Sequence, residues 1–87
     1  MPEISRFYGI LITMYAEDHN PPHFHARYGE FKAMINIASG DIMEGQMPNK
    51  ALRLIQAWVE IHREELNKNW EESIKENPDF HKIDPLK

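Results

Sequence analysis

Apolar and polar side chains alternate along residues 23–28 and again along residues 31–37. This alternation is the pattern of β-strands that bury one face, and Gly29 between the two segments predicts a hairpin turn. Residues 5–15 carry apolar side chains on both faces, which predicts one central strand. With a short strand near residues 42–44, the first half of the chain predicts an antiparallel meander of three or four strands.

From residue 48 onwards the apolar positions recur at steps of three and four residues, which is the period of a helix. This pattern predicts one long helix over residues 48–77 and a loosely held tail over residues 78–87. The chain as a whole, residues 1–87, is therefore predicted to be a single small α+β domain, a three- to four-stranded antiparallel meander packed against one long C-terminal helix. The helical stripe consists of Ala51, Ile55, Trp58, His62, Leu66, Trp70 and Ile74.

The predicted helix is long for a chain of 87 residues. Thirty helical residues span about 45 Å at 1.5 Å per residue, whereas a compact domain of this size is roughly 30 Å across. Either the helix breaks near residues 67–69, or its second half extends past the sheet. An extension would expose Trp70 and Ile74, and it would predict a homodimer or a protein partner that covers them.

The composition narrows the class of protein. The chain has no cysteine, which excludes a disulfide framework and a thiolate metal site. The first residues lack the pattern of a signal peptide, and the apolar stretch that follows is too short to cross a bilayer, so we expect a cytoplasmic protein without a membrane role. The net charge of −4 argues against a general nucleic-acid binder but leaves room for a local basic patch.

Candidate chemistry is concentrated in residues 18–28, which hold three of the five histidines. On a strand, His23 and His25 would share one face with Cα atoms roughly 7 Å apart, a spacing that lets two imidazoles bind one divalent transition metal such as zinc. His19 is a candidate third ligand, provided that a tight turn or a cis proline brings it near His23. Glu17 or Asp18 could add a carboxylate.

The same residues support a chemistry without metal. His23 and His25 are candidate catalytic residues, because an imidazole can act as general base and general acid, and Arg27 could hold a phosphate. These three residues are equally the candidate anion-binding set, and together they could cleave RNA. In a third interpretation the histidines only hydrogen-bond a neighbouring strand, and the prolines only end a sheet edge.

The alternation also predicts where these side chains point. Phe24, Ala26 and Tyr28 need the buried face of the strand, so the alternate residues must take the open face, away from the helix. On such a face, metal binding should weaken as the pH falls through the range near 6.5 where imidazoles become protonated, whereas anion binding should strengthen.

Several segments resemble a known family. They are residues 1–10 (Met-Pro-Glu-Ile-Ser-Arg-Phe-Tyr-Gly-Ile), the run Asp-His-Asn-Pro-Pro-His-Phe-His-Ala at 18–26, Tyr-Gly-Glu at 28–30, and the stretch from 52 to 70. All four are similar to the small bacterial domain-of-unknown-function family 4160. The resemblance implies a small protein partner, because such genes often lie beside one for family 2442 in a toxin–antitoxin-like pair. It assigns no catalytic residues.

Taken together, the residues and the resemblance predict a partner-binding component of a two-gene, toxin–antitoxin-like module with a histidine-lined metal or anion site. Two alternatives stay open at this point. One is a small metal-independent ribonuclease-type toxin that uses the same histidines, and the other is a purely structural interaction module.

Overall fold

A computed structural model describes residues 3–16 and 19–86 of the chain. In these residues five strands form one antiparallel sheet in chain order, followed by one helix. The prediction of an antiparallel meander with one C-terminal helix is therefore confirmed, although the sheet has five strands instead of three or four. The elements are β1 (Glu3–Phe7), β2 (Ile10–Thr13), β3 (His23–Tyr28), β4 (Phe31–Asn36), β5 (Ile42–Gly45) and α1 (Asn49–Ser73).

The additional strand comes from a tight turn that the sequence pattern did not indicate. Tyr8 and Gly9 both have positive φ, +48° and +80°, which is the conformation of a two-residue hairpin turn that matches the twist of its strands. The chain therefore reverses inside the predicted central strand, and Phe7 pairs with Ile10. The prediction of one continuous strand over residues 5–15 is wrong, because its apolar residues belong to two neighbouring strands of one sheet.

The hydrophobic core lies between one face of the sheet and α1. The apolar stripe of the helix packs against the sheet as predicted, with Ala51, Ile55 and Leu66 buried. Trp58 is fully buried, and its ring centroid lies 5.3 Å from that of Phe7 and 5.7 Å from that of Phe24. Large aromatic contacts of this kind bury much apolar area in a small domain.

The helix is shorter than predicted, and it bends. It ends at Ser73, and its backbone departs from helical geometry at His62, with φ −116° and ψ 21°, not at residues 67–69. Twenty-five residues at 1.5 Å span about 37 Å, which agrees with the longest dimension of the molecule, 36 Å. Trp70 is buried, so this side chain is not exposed as it would be in a helix that extends past the sheet, whereas Ile74 just beyond the helix is exposed. Self-association through this part of the chain stays a prediction.

The last residues are packed against the domain, so the prediction of a loosely held tail is wrong for residues 78–86. The Ile83 amide donates to the Ile4 carbonyl at 2.7 Å, beside β1. The Trp58 indole donates to the Asp84 carbonyl at 2.8 Å, and the Asn69 amide group exchanges two hydrogen bonds with the backbone of residue 81. The tail thereby covers one edge of the sheet. No helix in the described part of the chain is long and apolar enough to cross a membrane.

Candidate functional site

The sheet face that points away from α1 carries a row of cations. Across β1 to β4, Arg6 is the Cα partner of Leu11, Leu11 of Arg27, and Arg27 of Lys32. Because neighbouring strands lie about 4.8 Å apart, these four residues form a line roughly 14 Å long across the sheet. We call Arg6, Arg27 and Lys32 the cationic row.

A second row runs beside the first, two residues further along each strand and therefore about 7 Å away. It contains Thr13, His25, Met34 and Glu44, which are Cα partners in turn across β2 to β5. The ring of Tyr15 lies next to this row, 4.4 Å from the His25 ring and nearly perpendicular to it. The second row thus combines an imidazole, a carboxylate and a thioether with a phenol at its side.

Both rows border one shallow groove. Its volume is about 360 Å³. A second hollow of about 290 Å³ adjoins it and shares Leu11 and Arg27 with it. The surface is therefore an open platform with a cation at its centre. The residues that line the larger groove are Leu11, Thr13, Tyr15, His25, Ala26, Arg27, Lys32, Ala33, Met34, Glu44 and Gly45.

The charges of this face differ from those of the whole chain. Arg6 pairs with Glu3 at 3.0 Å. Neither Arg27 nor Lys32 takes part in an ion pair within residues 3–16 and 19–86, and in this part of the chain Glu44 is the one carboxylate that lines the larger groove. A chain with net charge −4 therefore presents a locally positive surface, which attracts anions.

His23 does not lie on this open platform. It is 1% exposed, and its ring centroid is 5.2 Å from that of Trp70 in the last turns of α1. Its Nδ1 lies 2.7 Å from the Pro21 carbonyl oxygen, so Nδ1 carries the hydrogen and donates it. The prediction that His23 points away from the helix is wrong, because the end of α1 brings Trp70 against the start of β3. The same prediction holds for His25 and Arg27, which both line the groove.

The three clustered histidines, which are the predicted metal ligands, lie near one another. The His19 ring is 6.2 Å and the His25 ring 5.4 Å from the His23 ring, and the Asn20–Pro21 peptide bond is cis. Within residues 3–16 and 19–86, no three His, Asp or Glu side chains are arranged to hold a metal ion. Glu17 and Asp18, the predicted carboxylate ligands, lie outside the described residues. A zinc site at His19, His23 and His25 stays a prediction.

The sequence analysis did not single out three charged residues of the platform. Lys32 faces Arg27 across the β3–β4 hairpin, and counting outward from the turn at Gly29 would have found it. Arg6 and Glu44 could not be placed in this way. The position of Arg6 on the sheet depends on the turn at Tyr8 and Gly9, which the sequence pattern did not indicate. The position of Glu44 depends on an irregularity in the pairing of β5 with β4.

A protein-family model described as a domain of unknown function, DUF4160, matches residues 9–71. The chain belongs to the DUF4160 family. Neither the curated proteins nor the solved structures contain a match to it. The resemblance stated from the sequence is thereby confirmed, whereas the pairing of this DUF4160 chain with a member of family 2442 stays a prediction.

The part of the chain that matches DUF4160 includes every residue that lines the larger groove. It leaves out Arg6 at one end of the cationic row, and it also leaves out the tail that packs beside β1. The centre of the platform, with His25, Arg27 and Lys32, is therefore built entirely from the matched region.

Proposed function

We propose that the DUF4160 chain binds single-stranded RNA on the open face of its sheet. The observation that carries the proposal is the cationic row, three positively charged side chains aligned across β1 to β4. Guanidinium and ammonium groups bind phosphate oxygens, and arginine does so with two parallel hydrogen bonds. A row roughly 14 Å long offers contacts to more than one phosphate of a strand.

The groove beside the cationic row supplies contacts for bases. Tyr15 and His25 present aromatic rings there, and Leu11 and Met34 add apolar surface. Proteins bind single-stranded nucleic acid in this way, with cations along the backbone and stacking side chains for the bases. An isolated phosphate would use one end of the row and leave the rings without a role.

The binding should depend on salt in a way that can be calculated. Each phosphate that a cation neutralises releases condensed counterions, and the slope of log K against log salt is about −0.7 per contact for a single strand. Three contacts therefore predict a slope of about −2. A complex with so few contacts should be weak at physiological salt, which fits a protein of net charge −4.

The test is fluorescence anisotropy with a labelled single-stranded RNA at several salt concentrations. Arg27→Ala and Lys32→Ala should each weaken binding and should each make the slope shallower by about 0.7. Lys68→Ala on the exposed surface of α1 is the matched control, because it removes the same charge from outside the platform. Equal effects of all three substitutions would contradict the proposal. Tighter binding of polyglutamate than of RNA would assign the platform to an acidic protein instead.

The partner-binding role in a two-gene module stays a prediction beside this proposal. The two roles are compatible, since a protein with an acidic segment could cover the same cationic row and displace RNA. Co-purification of the neighbouring gene product with the wild-type chain, but not with Arg27→Ala, would place such a partner on the platform.

A further inference from the structure

An acid–base pair lies across the larger groove. His25 on β3 and Glu44 on β5 belong to the same row and are separated only by Met34 on β4. Two strand spacings place their Cα atoms roughly 10 Å apart. Both side chains line the groove, as do Arg27 and Lys32. A phosphate held by these two cations would therefore lie beside the row that carries the imidazole and the carboxylate.

We propose that His25 and Glu44 cleave the bound RNA strand without a metal ion; this inference rests on the RNA binding proposed above. The Glu44 carboxylate accepts the proton of a ribose 2′-hydroxyl, and the 2′-oxygen attacks the adjacent phosphorus. The bond from phosphorus to the 5′-oxygen breaks, and protonated His25 gives its proton to the departing 5′-oxygen. The products are a 2′,3′-cyclic phosphate and a 5′-hydroxyl, so neither water nor an oxidant is consumed.

The neighbouring residues fit this reaction. The phosphorane that forms during the attack carries additional negative charge on its non-bridging oxygens, and Arg27 and Lys32 stabilise that charge where it develops. A carboxylate is an acceptor and an imidazolium is a donor, so the two groups suit opposite steps. His23 takes no part, because it is buried beside Trp70. The carboxylate on β5 replaces it as the second catalytic group.

The decisive experiment compares an RNA oligonucleotide with its 2′-deoxy counterpart, in the presence of EDTA. We expect the wild-type chain to bind both and to cleave only the RNA, with a 2′,3′-cyclic phosphate detected by mass spectrometry. Glu44→Gln should slow cleavage at least about 100-fold, the usual contribution of a general base. It should bind the deoxy strand no more weakly, because it removes a negative charge from the groove. Glu64→Gln on the exposed surface of α1 is the matched control and should cleave normally.

The pH profile gives a second readout. A reaction that needs one deprotonated and one protonated group has a bell-shaped rate profile, and Glu44→Gln should remove the limb at low pH. His25→Gln and His25→Ala should both abolish cleavage, and circular dichroism should show the wild-type fold. Binding of the deoxy strand without RNA cleavage, or cleavage that Glu44→Gln leaves unchanged, would overturn the inference and leave the binding proposal intact. Failure to bind either strand would overturn both.

Discussion

Gly45 is the position where one additional methyl group should do the most damage to the sheet. Its φ is +91°, and a Cβ atom placed there would lie 2.2 Å from the carbonyl oxygen of Lys32 and 2.9 Å from the Cα of Ala33. Both atoms belong to the backbone of β4, so no side-chain rotation can relieve the contact. The same Lys32 carbonyl accepts a hydrogen bond from the Gln46 amide at 2.9 Å, which holds it in place.

The cost of Gly45→Ala can be worked out from these contacts. A left-handed backbone costs a non-glycine residue about 1–2 kcal/mol. Moving β5 away from β4 breaks the bond between Gln46 and Lys32, worth about 1 kcal/mol, and loosens the neighbouring pairs. These two contributions give an expected loss of about 2–3 kcal/mol in the free energy of unfolding. That is a large share of the roughly 5–15 kcal/mol that stabilises a typical domain.

Gly29→Ala is the matched control, because Gly29 also has positive φ, +59°, but among the described residues other than its two chain neighbours no atom lies within 4 Å of a Cβ placed there. Gly29→Ala should lose only the cost of the left-handed backbone, about 1–2 kcal/mol. Urea unfolding followed by tryptophan fluorescence measures both variants, and the difference in midpoint reports the steric term. Equal losses in the two variants would refute the reasoning, because they would show that β5 yields to the methyl group without cost.

Two further predictions concern the helix and the tail. Asn69→Ala removes both hydrogen bonds that the buried amide group makes with the backbone of residue 81. The substitution should lower the free energy of unfolding by about 2 kcal/mol and make the tail more sensitive to limited proteolysis. Asn67→Ala, at an exposed position, is the control. The hydrogen bond from Lys75 holds the pKa of the Glu72 carboxyl below its ordinary value, so Lys75→Ala should raise that pKa in an NMR titration. Because the pKa of Glu72 is lowered in the folded state, its hydrogen bond with Lys75 stabilises the fold at pH values above the ordinary carboxyl range, and this stabilisation is lost as the pH falls through the pKa of the folded state. An unchanged Glu72 titration in Lys75→Ala would contradict the assignment.

Alternation along β3 and β4 predicted most of the residues that face the core, although Phe31 at the start of β4 is exposed. Phe24, Ala26 and Ile35 are buried as their positions in the strands require, and the same parity puts His25 and Arg27 on the groove. Alternation did not reveal the turn at Tyr8 and Gly9. The pattern indicates which face of a strand is buried, and both strands of this hairpin bury side chains under the same helix, so the pattern continues across the turn. A tyrosine with positive φ is also rare in such turns, where asparagine and glycine predominate.

The burial of His23 could not be read from its own strand. Parity assigns it to the open face, and the assignment fails because Trp70, 47 positions later in the sequence, packs against it. That contact depends on the length of α1 and on its bend at His62. The place of Glu44 opposite Met34 is equally hard to predict, because it depends on the irregularity of the β4–β5 pairing between Ile42 and Glu44. Long-range packing, more than local pattern, decided which polar residues share the groove.

A chain of net charge −4 can hold a cationic platform because its two layers keep the charges apart. The exposed carboxylates of α1, among them Glu60, Glu64 and Glu71, belong to the layer opposite the platform, and the thinnest dimension of the molecule is 22 Å. At physiological salt the Debye length is about 8 Å, so these charges are largely screened from a strand bound on the sheet, whereas Arg27 and Lys32 act at contact distance. At very low salt the screening length approaches 30 Å, and the acidic helix should begin to oppose binding. The plot of log K against log salt should therefore flatten at its low-salt end, and reversing helix charges such as Glu64→Lys should straighten it without changing the slope at physiological salt.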